Sequence, residues 1–406
     1  MTRKDQQIGL ISSGIDFFDT LSEMIDATQQ YIYLNFYIFS DDETGDRILS
    51  KLIDKANASV DVYLVLDGYA STAGKTMINK LSSAGIHFYQ HAPLFRFKEH
   101  SGRRMHEKLV LADGKYLLIG GINISDKYNT TKKGTAWLDF AVLMKGDITT
   151  DALKHLNKYW NHHIIKPDLN IQHSSFIKLD NRLRYLVDAS IRSNDWLFHQ
   201  NEITSTYIRM IKHAKDNITI LCSYFIPGAV IRRLLANASK RGVKIRIVTT
   251  GVSDVYLAKS AEKWLYDWLL RNNMEIYEYQ KNVLHGKLAI ADGMTMTIGS
   301  YNINNISTYA SMEMNVEVIG KEFCRNCESQ INNIINNDCV HITREIHAKQ
   351  KNYFIQLIRW ISYQFIRIVL TMFTWPLQRR KRTKYSKKII SDIDLIPSRD
   401  PASLDH

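Results

Sequence analysis

The sequence predicts an α/β protein of two pseudo-twofold-related halves, each a mostly parallel sheet flanked by helices, followed by an amphipathic helical tail. Two observations predict the halves: one set of polar residues occurs twice at a constant offset, and the segments before each set repeat in the same order. A change of pattern near residue 340 predicts the tail. We therefore expect domains at 1–166 and 167–343 and a tail at 344–406.

The repeated polar set is His-x-Lys, followed by Asp, Gly and Asn. Its members are His106, Lys108, Asp113, Gly120 and Asn123 in the first copy and His285, Lys287, Asp292, Gly299 and Asn302 in the second, an offset of 179 residues throughout. Apolar runs at 109–112 and 116–119, and at 288–291 and 295–298, read as buried strands joined by an Asp-Gly turn. This duplication indicates that the two halves supply one site.

The segments before each copy follow the order strand, helix, strand. In the first half they are 31–39, 44–56 and 60–66, and in the second half 218–225, 229–239 and 243–249. Alternation of this kind predicts a largely parallel sheet covered by helices.

The net charge of +12 predicts an anionic partner. The distribution of that charge along the chain indicates which class of anionic partner to expect. Residues 345–406 hold 12 Lys and Arg against 5 Asp and Glu. A nucleic-acid channel would carry the excess in the catalytic body instead, so we expect no nucleic-acid partner.

The start of the chain lacks the apolar core of a secretory signal, and four cysteines in 406 residues do not form a disulfide framework. Both features predict a cytoplasmic protein. Cys324, Cys327, Cys339 and His341 have weak zinc-ligand spacing, because two of them lie in a predicted helix at 321–336 and no second knuckle follows. We expect no metal site.

With two complete polar sets, residues 10–340 resemble the phospholipase D superfamily, and within it the bacterial cardiolipin synthases of the short type without N-terminal membrane helices. The resemblance implies phosphodiester chemistry through a covalent phosphohistidine, with no metal ion or other cofactor. A phosphodiester is anionic, so its oxygens must be neutralised during attack. Lys108 and Lys287 would supply charge, and the amides of Asn123 and Asn302 would donate hydrogen bonds to the non-bridging oxygens.

The two imidazoles would divide the proton transfer and the attack, because histidine titrates near neutral pH. Family habit assigns the attack to His106 and the general acid to His285, although the sequence alone does not distinguish them. Asp113 and Asp292 complete the catalytic motif, with a role that we expect to be structural support of the site.

Each catalytic histidine needs an acceptor on its other ring nitrogen, and the family uses a downstream carboxylate. Counting within each half, the candidates are Asp139, 33 residues after His106, and Glu313, 28 residues after His285. Glu317 is a lesser candidate. The longer spacing in the first half falls in a polar loop at 127–134, which we expect to tolerate extra residues.

Two positions depart from the family pattern. Gly121 stands where the family often has Ser or Thr, whereas Ser300 keeps that residue in the second copy. Ile306 precedes Ser307 where many cardiolipin synthases have Arg, which leaves the head-group preference open.

In the tail, residues 353–376 are almost all apolar or aromatic, and the polar ones recur every three or four positions. They are Gln356, Arg359, Tyr363, Arg367, Thr371 and Thr374. Two central arginines argue against a spanning helix, since each costs about 2.5 to 3.5 kcal/mol at the bilayer centre.

An interfacial helix avoids that cost, and the basic run at 379–388 adds about 1 kcal/mol per basic side chain near anionic lipid. We predict that the segment from Tyr353 to Lys388 binds an anionic membrane surface. The alternative is a helix that packs on the protein's own body, with a solvated basic tail beyond it.

The residues and the resemblance together predict a monomeric enzyme on the cytoplasmic face of a bacterial membrane. It would act on phospholipid, converting two phosphatidylglycerols to cardiolipin and glycerol. A phospholipase D that hydrolyses phospholipids, a nuclease-type phosphodiesterase and a non-enzymatic lipid-binding scaffold are the alternatives.

Overall fold

The computed structural model describes residues 1–71, 75–92, 104–131, 134–160, 176–195, 200–304, 311–349 and 352–381, with side chains to residue 368 in the last range. The predicted boundary at 166/167 and the pair Ile306 and Ser307 lie outside these residues. The predicted domain limits therefore stay predictions.

Strands and helices alternate along both halves. The strands are β1 Arg3–Ser12, β2 Tyr31–Phe36, β3 Asp61–Asp67, β4 His87–His91, β5 Arg104–Met105, β6 Leu109–Ala112, β7 Tyr116–Gly120, β8 Phe140–Lys145, β9 Tyr185–Asp195, β10 Gln200–Asn201, β11 Asn217–Cys222, β12 Lys244–Thr250, β13 Glu275–Tyr279, β14 Lys287–Ala291, β15 Thr295–Gly299, β16 Ser311–Ile319 and β17 Cys339–His341. The helices are α1 Ile15–Ala27, α2 Glu43–Asn57, α3 Lys75–Ser83, α4 Ile148–Leu156, α5 Ile177–Asp180, α6 Glu202–His213, α7 Ala229–Lys240, α8 Tyr256–Trp264, α9 Tyr266–Arg271, α10 Lys321–Asp338, α11 Arg344–Lys349 and α12 Tyr353–Lys381.

The main sheet repeats one strand order in both halves. The first half has the order β4-β3-β2-β6-β7-β8-β1, and the second half has β13-β12-β11-β14-β15-β16-β9. The halves join where β1 pairs antiparallel with β9. This arrangement confirms the duplicated α/β fold.

The sheet is mixed, which corrects the expectation of a mostly parallel one. Among the described strands of the main sheet, neighbours are parallel in β2-β3-β4 and β11-β12-β13, and the short β5 also pairs parallel with β16. The motif strands are joined instead by hairpins, and a hairpin places antiparallel strands side by side. In both turns the Asp and the Gly have positive φ, at 49° and 63° for Asp113 and Gly114 and at 54° and 57° for Asp292 and Gly293.

The two halves share a core that the motif strands help to build. Leu109 and Ile119 of the first half lie in one buried cluster with Leu288 and Ile298 of the second. Alternate residues of the same strands point to separate cores, one within each half. Each motif strand is thus buried on both faces, which holds its first residues in place.

Candidate active site

Both His-x-Lys pairs lie at the edge of the sheet where its parallel strands end. β6 runs antiparallel to β2, with Leu109 opposite Asn35, and β14 runs antiparallel to β11, with Lys287 opposite Cys222. The start of each motif strand is therefore beside the carboxyl end of a parallel strand, where α/β proteins commonly bind ligands.

Each histidine is paired with a carboxylate from the other half. His106 Nδ1 lies 2.9 Å from Glu313 Oε2, and His285 Nδ1 lies 2.6 Å from Asp139 Oδ2. This crossing corrects the sequence-based pairing, which counted each carboxylate from the histidine of its own half. Because Nδ1 is engaged in both rings, Nε2 is the nitrogen left for chemistry.

The backbone shows the same crossing. The His106 N–H donates to Met312 O at 2.9 Å, and the His285 N–H donates to Leu138 O at 2.7 Å. Each acceptor is the residue before a pairing carboxylate, so the exchange is built into the chain path. Spacing along one half does not report such contacts, because β5 pairs with β16 across the halves.

Glu317, the lesser candidate, is committed elsewhere. It forms ion pairs with Arg192, at 2.6 Å, and with Arg209. These contacts join β16 to β9 and α6, and Glu317 is therefore not an acceptor for either histidine.

The departure at Gly121 has a steric explanation. A Cβ at this position would lie 2.4 Å from Asp139 Oδ1, so the aspartate occupies the space of a serine side chain. In the second half the carboxylate is a longer Glu313, and Ser300 fits, donating to Oε2 at 2.5 Å while Ser311 donates to Oε1 at 3.0 Å. The two halves therefore fill the same space differently: Gly121 leaves room for the Asp139 carboxylate, and Ser300 donates to the longer Glu313.

The two lysines are buried beside the histidines. Lys108 Nζ donates to His106 O at 2.6 Å, and Lys287 Nζ donates to His285 O and to Ser223 Oγ, the latter at 3.3 Å. Burial and the Lys287 charge lower the pKa of Lys108 to about 7, although Glu313 opposes the shift. Burial also lowers the pKa of Lys287. Because the charge of Lys287 acts on Lys108, a bound anion would stabilise the protonated forms of both side chains.

The pKa values of the histidines are lowered as well. Burial and the adjacent Lys287 lower the pKa of His285 to about 4, and burial lowers that of His106 despite the Glu313 carboxylate. The surroundings therefore favour the neutral form of both rings in the empty site. A bound phosphodiester would raise both pKa values through its negative charge, so that one ring can gain a proton as substrate arrives.

Tyr128 is a site residue that the sequence interpretation missed. Its hydroxyl lies 3.3 Å from each ring nitrogen of His285, and the two ring centroids are 5.2 Å apart. It belongs to the 127–134 segment, for which the sequence predicts only a polar loop that tolerates extra residues. The signal was the length of the first half, which has five more residues between Asn123 and Asp139 than the second has between its equivalents.

The two motif amides occupy different surroundings. Asn123 Nδ2 donates to the Tyr128 hydroxyl and its Oδ1 accepts from the Ile38 N–H, both at 3.0 Å. The amide predicted to contact phosphate thus also holds Tyr128 against His285. Asn302 is half-buried, and its backbone carbonyl accepts from the Asn304 N–H at 2.8 Å.

His106 has an aromatic neighbour of its own, which the sequence interpretation also missed. The Tyr37 ring meets the His106 ring edge-on at 4.7 Å, and Lys108 Nζ lies 5.1 Å from the Tyr37 centroid. Tyr37 directly follows β2, at the carboxyl edge that carries the rest of the site.

Asp113 and Asp292 lie at the far ends of the motif strands. Each accepts three backbone N–H groups, from residues 29–31 and 215–217 respectively, at 2.8 to 3.0 Å. Four strand residues lie between each lysine and its aspartate, so the two Cα atoms are about 17 Å apart. The two aspartates anchor the entry of β2 and β11, and the structure separates them from the residues that could reach phosphate.

The cysteines weighed as zinc ligands do not converge in the described part of the chain, where no three His, Cys, Asp or Glu side chains form a metal-ligand group. Cys324 and Cys327 are buried in the shared core, and His341 stacks on Tyr277 at 4.7 Å.

The lowered pKa of Lys108 predicts a pH-dependent anion affinity. Sulfate, an inert dianion, should inhibit the native enzyme progressively less above pH 7, because Lys108 loses its proton in the empty site. In Lys108→Arg the loss of sulfate affinity with rising pH should be smaller, by up to about tenfold per pH unit, because a guanidinium stays charged. The measurement is the sulfate inhibition constant from pH 6 to 9 for both proteins. Parallel declines would contradict the assignment.

The comparisons with known proteins agree with this geometry. The family described as "Cardiolipin synthase, PLD-like domain" matches residues 21–162 and 207–335, one match in each half. Cardiolipin synthase B of Salmonella typhi is 28% identical over 362 residues, covering 86% of this chain and 85% of that protein. A cardiolipin synthase of Clostridium perfringens strain SM101 is 27% identical, covering 89% and 76%.

Solved structures show the same fold. Phosphatidylserine synthase of Haemophilus influenzae superposes with a TM-score of 0.68 at 12% identity, covering 89% of this chain and 93% of that one. Polyphosphate kinase of Porphyromonas gingivalis superposes with a TM-score of 0.57 at 13% identity, covering 90% and 53%. Both halves of the chain thus match one family, and each contributes a histidine, a lysine and a carboxylate to the same edge. The chain belongs to the cardiolipin synthase family of the phospholipase D superfamily and is a phosphatidyltransferase.

Proposed function

We propose that the protein transfers a phosphatidyl group from one phosphatidylglycerol to another, forming cardiolipin and glycerol. The crossed arrangement is the observation that carries this: two histidines, each held by a carboxylate of the other half, next to two buried lysines. It supplies a nucleophile, a proton donor and positive charge at one place. The relatives named cardiolipin synthases support the choice of lipid.

In the first step His106 Nε2 attacks phosphorus, and the bond from phosphorus to the glycerol oxygen breaks. His285 donates the proton that the departing glycerol needs, while Lys108 and Lys287 stabilise the charge on the non-bridging oxygens. Glu313 stabilises the positive charge that His106 gains as it becomes phosphorylated.

In the second step the hydroxyl of another phosphatidylglycerol attacks the phosphohistidine. His285, now neutral, accepts the hydroxyl proton, and the bond between His106 and phosphorus breaks. Asp139 supports both protonation states of His285. It accepts a hydrogen bond from Nδ1 of the neutral ring, and its negative charge stabilises the imidazolium.

The tail helix supports a membrane location. α12 packs against α8 through its polar side: Arg359, Ser362 and Tyr363 are buried, and Tyr363 packs with Ala261 and Leu265. Nine large apolar or aromatic side chains in the part of α12 whose side chains are described, 353–368, are exposed instead. They are Tyr353, Phe354, Ile355, Leu357, Ile358, Trp360, Ile361, Phe365 and Ile368.

A surface helix normally turns its apolar side inward. The outward apolar side of α12, together with the basic run at 379–388 that begins at its end, fits a helix lying in an anionic membrane interface. Within the described ranges, no helix is long and apolar enough to cross a bilayer. We infer a peripheral enzyme on the cytoplasmic face.

Product identification tests the proposal. Purified protein, in EDTA, is given vesicles of phosphatidylglycerol labelled separately in its head group and its acyl chains. We expect acyl label in cardiolipin and labelled glycerol in the water phase, with one glycerol released for each cardiolipin formed. Acyl label in phosphatidic acid alone would instead identify a hydrolase, and the absence of both lipids would reject a phosphatidylglycerol donor.

A further inference from the structure

A second apolar surface borders the catalytic edge. It is the segment 251–257, here called the rim segment, which follows β12 and includes the first two residues of α8. Thr250, just before it, accepts a hydrogen bond at 3.1 Å from the N–H of Leu284, the neighbour of His285. Asp254 within it accepts from the Tyr224 hydroxyl. The rim segment is therefore attached to the strand ends that carry the second half of the site.

The electrostatics place the same segment near the reacting groups. Asp254 and Tyr224 both contribute to raising the pKa of Tyr128, after burial and Asp139, which are the larger causes. Tyr128 in turn contacts the His285 ring. A side chain of the rim segment thus acts on a residue of the site itself.

The rim segment exposes four large apolar or aromatic side chains in six residues. Val252, Val255 and Leu257 are 43% to 46% exposed, and Tyr256 is 84% exposed. On the other side of the site, the pseudo-equivalent loop after β3 exposes Tyr69, whose ring lies 5.4 Å from the Arg104 guanidinium. Soluble surfaces rarely concentrate apolar side chains in this way without a binding partner.

The rim segment is continuous with the tail. It leads into α8, and α8 packs along α12, whose apolar side faces outward. The last residues of α12 and the chain beyond it carry a dense positive charge at 379–388, which would repel a second copy of the same surface but attract anionic lipid. Charge therefore favours a bilayer over self-association as the occupant.

We propose that the rim segment inserts into the membrane interface beside α12, so that the catalytic edge opens directly against the lipid head groups. This rests on the proposed function only in taking the substrate to be a membrane lipid. α12 holds the enzyme on the membrane, and the rim segment sets the angle at which the site faces it. A phosphatidyl group could then reach His106 while its acyl chains stay in the bilayer.

The test compares Tyr256→Asp with Met294→Asp. Tyr256 is the first residue of α8, where an aspartate is favourable to the helix, so the fold should be preserved. Met294 is 43% exposed and lies at the β14-β15 turn, at the end of β14 away from His285, which makes it a matched control. Phe354→Asp on α12 serves as the reference for loss of tail contact.

On vesicles of equal parts phosphatidylglycerol and phosphatidylcholine, Tyr256→Asp should bind about tenfold more weakly and turn over correspondingly less. Its activity on dispersed short-chain phosphatidylglycerol should equal that of the native chain, and Met294→Asp should match the native chain in both assays. Vesicle binding by Tyr256→Asp equal to that of the control would overturn the proposal.

A direct probe separates this inference from the proposed function. Val255→Cys carrying an environment-sensitive fluorophore should shift its emission to the blue when vesicles are added, whether or not lipid is turned over. Cardiolipin synthesis without any shift would overturn the insertion alone, and a shift without cardiolipin would support insertion while rejecting the function. Sedimentation showing a dimer that Tyr256→Asp abolishes would assign the surface to a second copy and overturn the proposal.

Discussion

Replacing His106 with Ala is expected to abolish formation of a phosphatidyl-enzyme and to lower turnover by about 10⁴-fold or more, because no other side chain supplies its Nε2 to phosphorus. His285→Ala should instead accumulate the intermediate when the donor carries a good leaving group such as 4-nitrophenol, which departs without a proton. The intermediate would then persist, since no base activates the second hydroxyl. Acid-labile phosphorus label on the denatured protein measures both results.

The control for this experiment is the position of the label in the native chain. Peptide mapping after rapid quenching should find it on His106. Label on His285 would exchange the two roles while preserving the mechanism, and near-full activity of both variants would reject covalent catalysis by these residues.

Much of the fold follows from the sequence because hydrophobic pattern and turn chemistry are local. The apolar runs of each motif and the Asp-Gly turn between them specify a hairpin without any tertiary information, and the structure has that hairpin in both halves. The relative direction of the strands did not follow from the sequence. Strand-helix-strand units dominate the sequence pattern, whereas four of the six pairings in each half of the described sheet are antiparallel. A mostly parallel sheet was therefore the wrong expectation.

The candidate site divides in the same way. Duplication identified His106, Lys108, His285 and Lys287, since only a shared site explains one offset for all of them. The spacing of residues along the chain could not show that each histidine contacts the carboxylate of the other half. Tyr128 was missed for a related reason: an insertion has no counterpart in the other half, so duplication gives no signal for it.

The orientation of the tail helix α12 is a further feature that the sequence does not determine. A polar stripe on an apolar helix predicts two faces but not which of them meets the protein. The structure turns the stripe with Arg359 and Tyr363 inward, against α8. Burial lowers the pKa of Arg359, and the negative charges of Glu278 and Asp267 oppose that shift. Partners from distant segments thus decided the orientation.

The crossed pairing predicts exchanged phenotypes for the carboxylates. Glu313→Gln should slow formation of the intermediate, because His106 loses the group that stabilises its positive charge. Asp139→Asn should slow its resolution and let it accumulate, because His285 loses orientation and basicity. Each loss should be about 10²- to 10⁴-fold in turnover. Rapid-quench measurement of the burst and steady-state phases separates the two steps, and pairing within each half would give the opposite assignment.

Gly121 provides the matched test of this geometry. Gly121→Ser alone should disable the His285 side, because its Cβ would lie 2.4 Å from Asp139 Oδ1 and displace the carboxylate. Combined with Asp139→Glu, the same serine should recover part of the activity by reproducing the arrangement of Ser300 with Glu313, in which the hydroxyl donates to the carboxylate. Recovery should appear in the resolution step, where Asp139 acts. A double variant no better than Gly121→Ser would show that the two arrangements are not interchangeable and that the shorter carboxylate is itself required at His285.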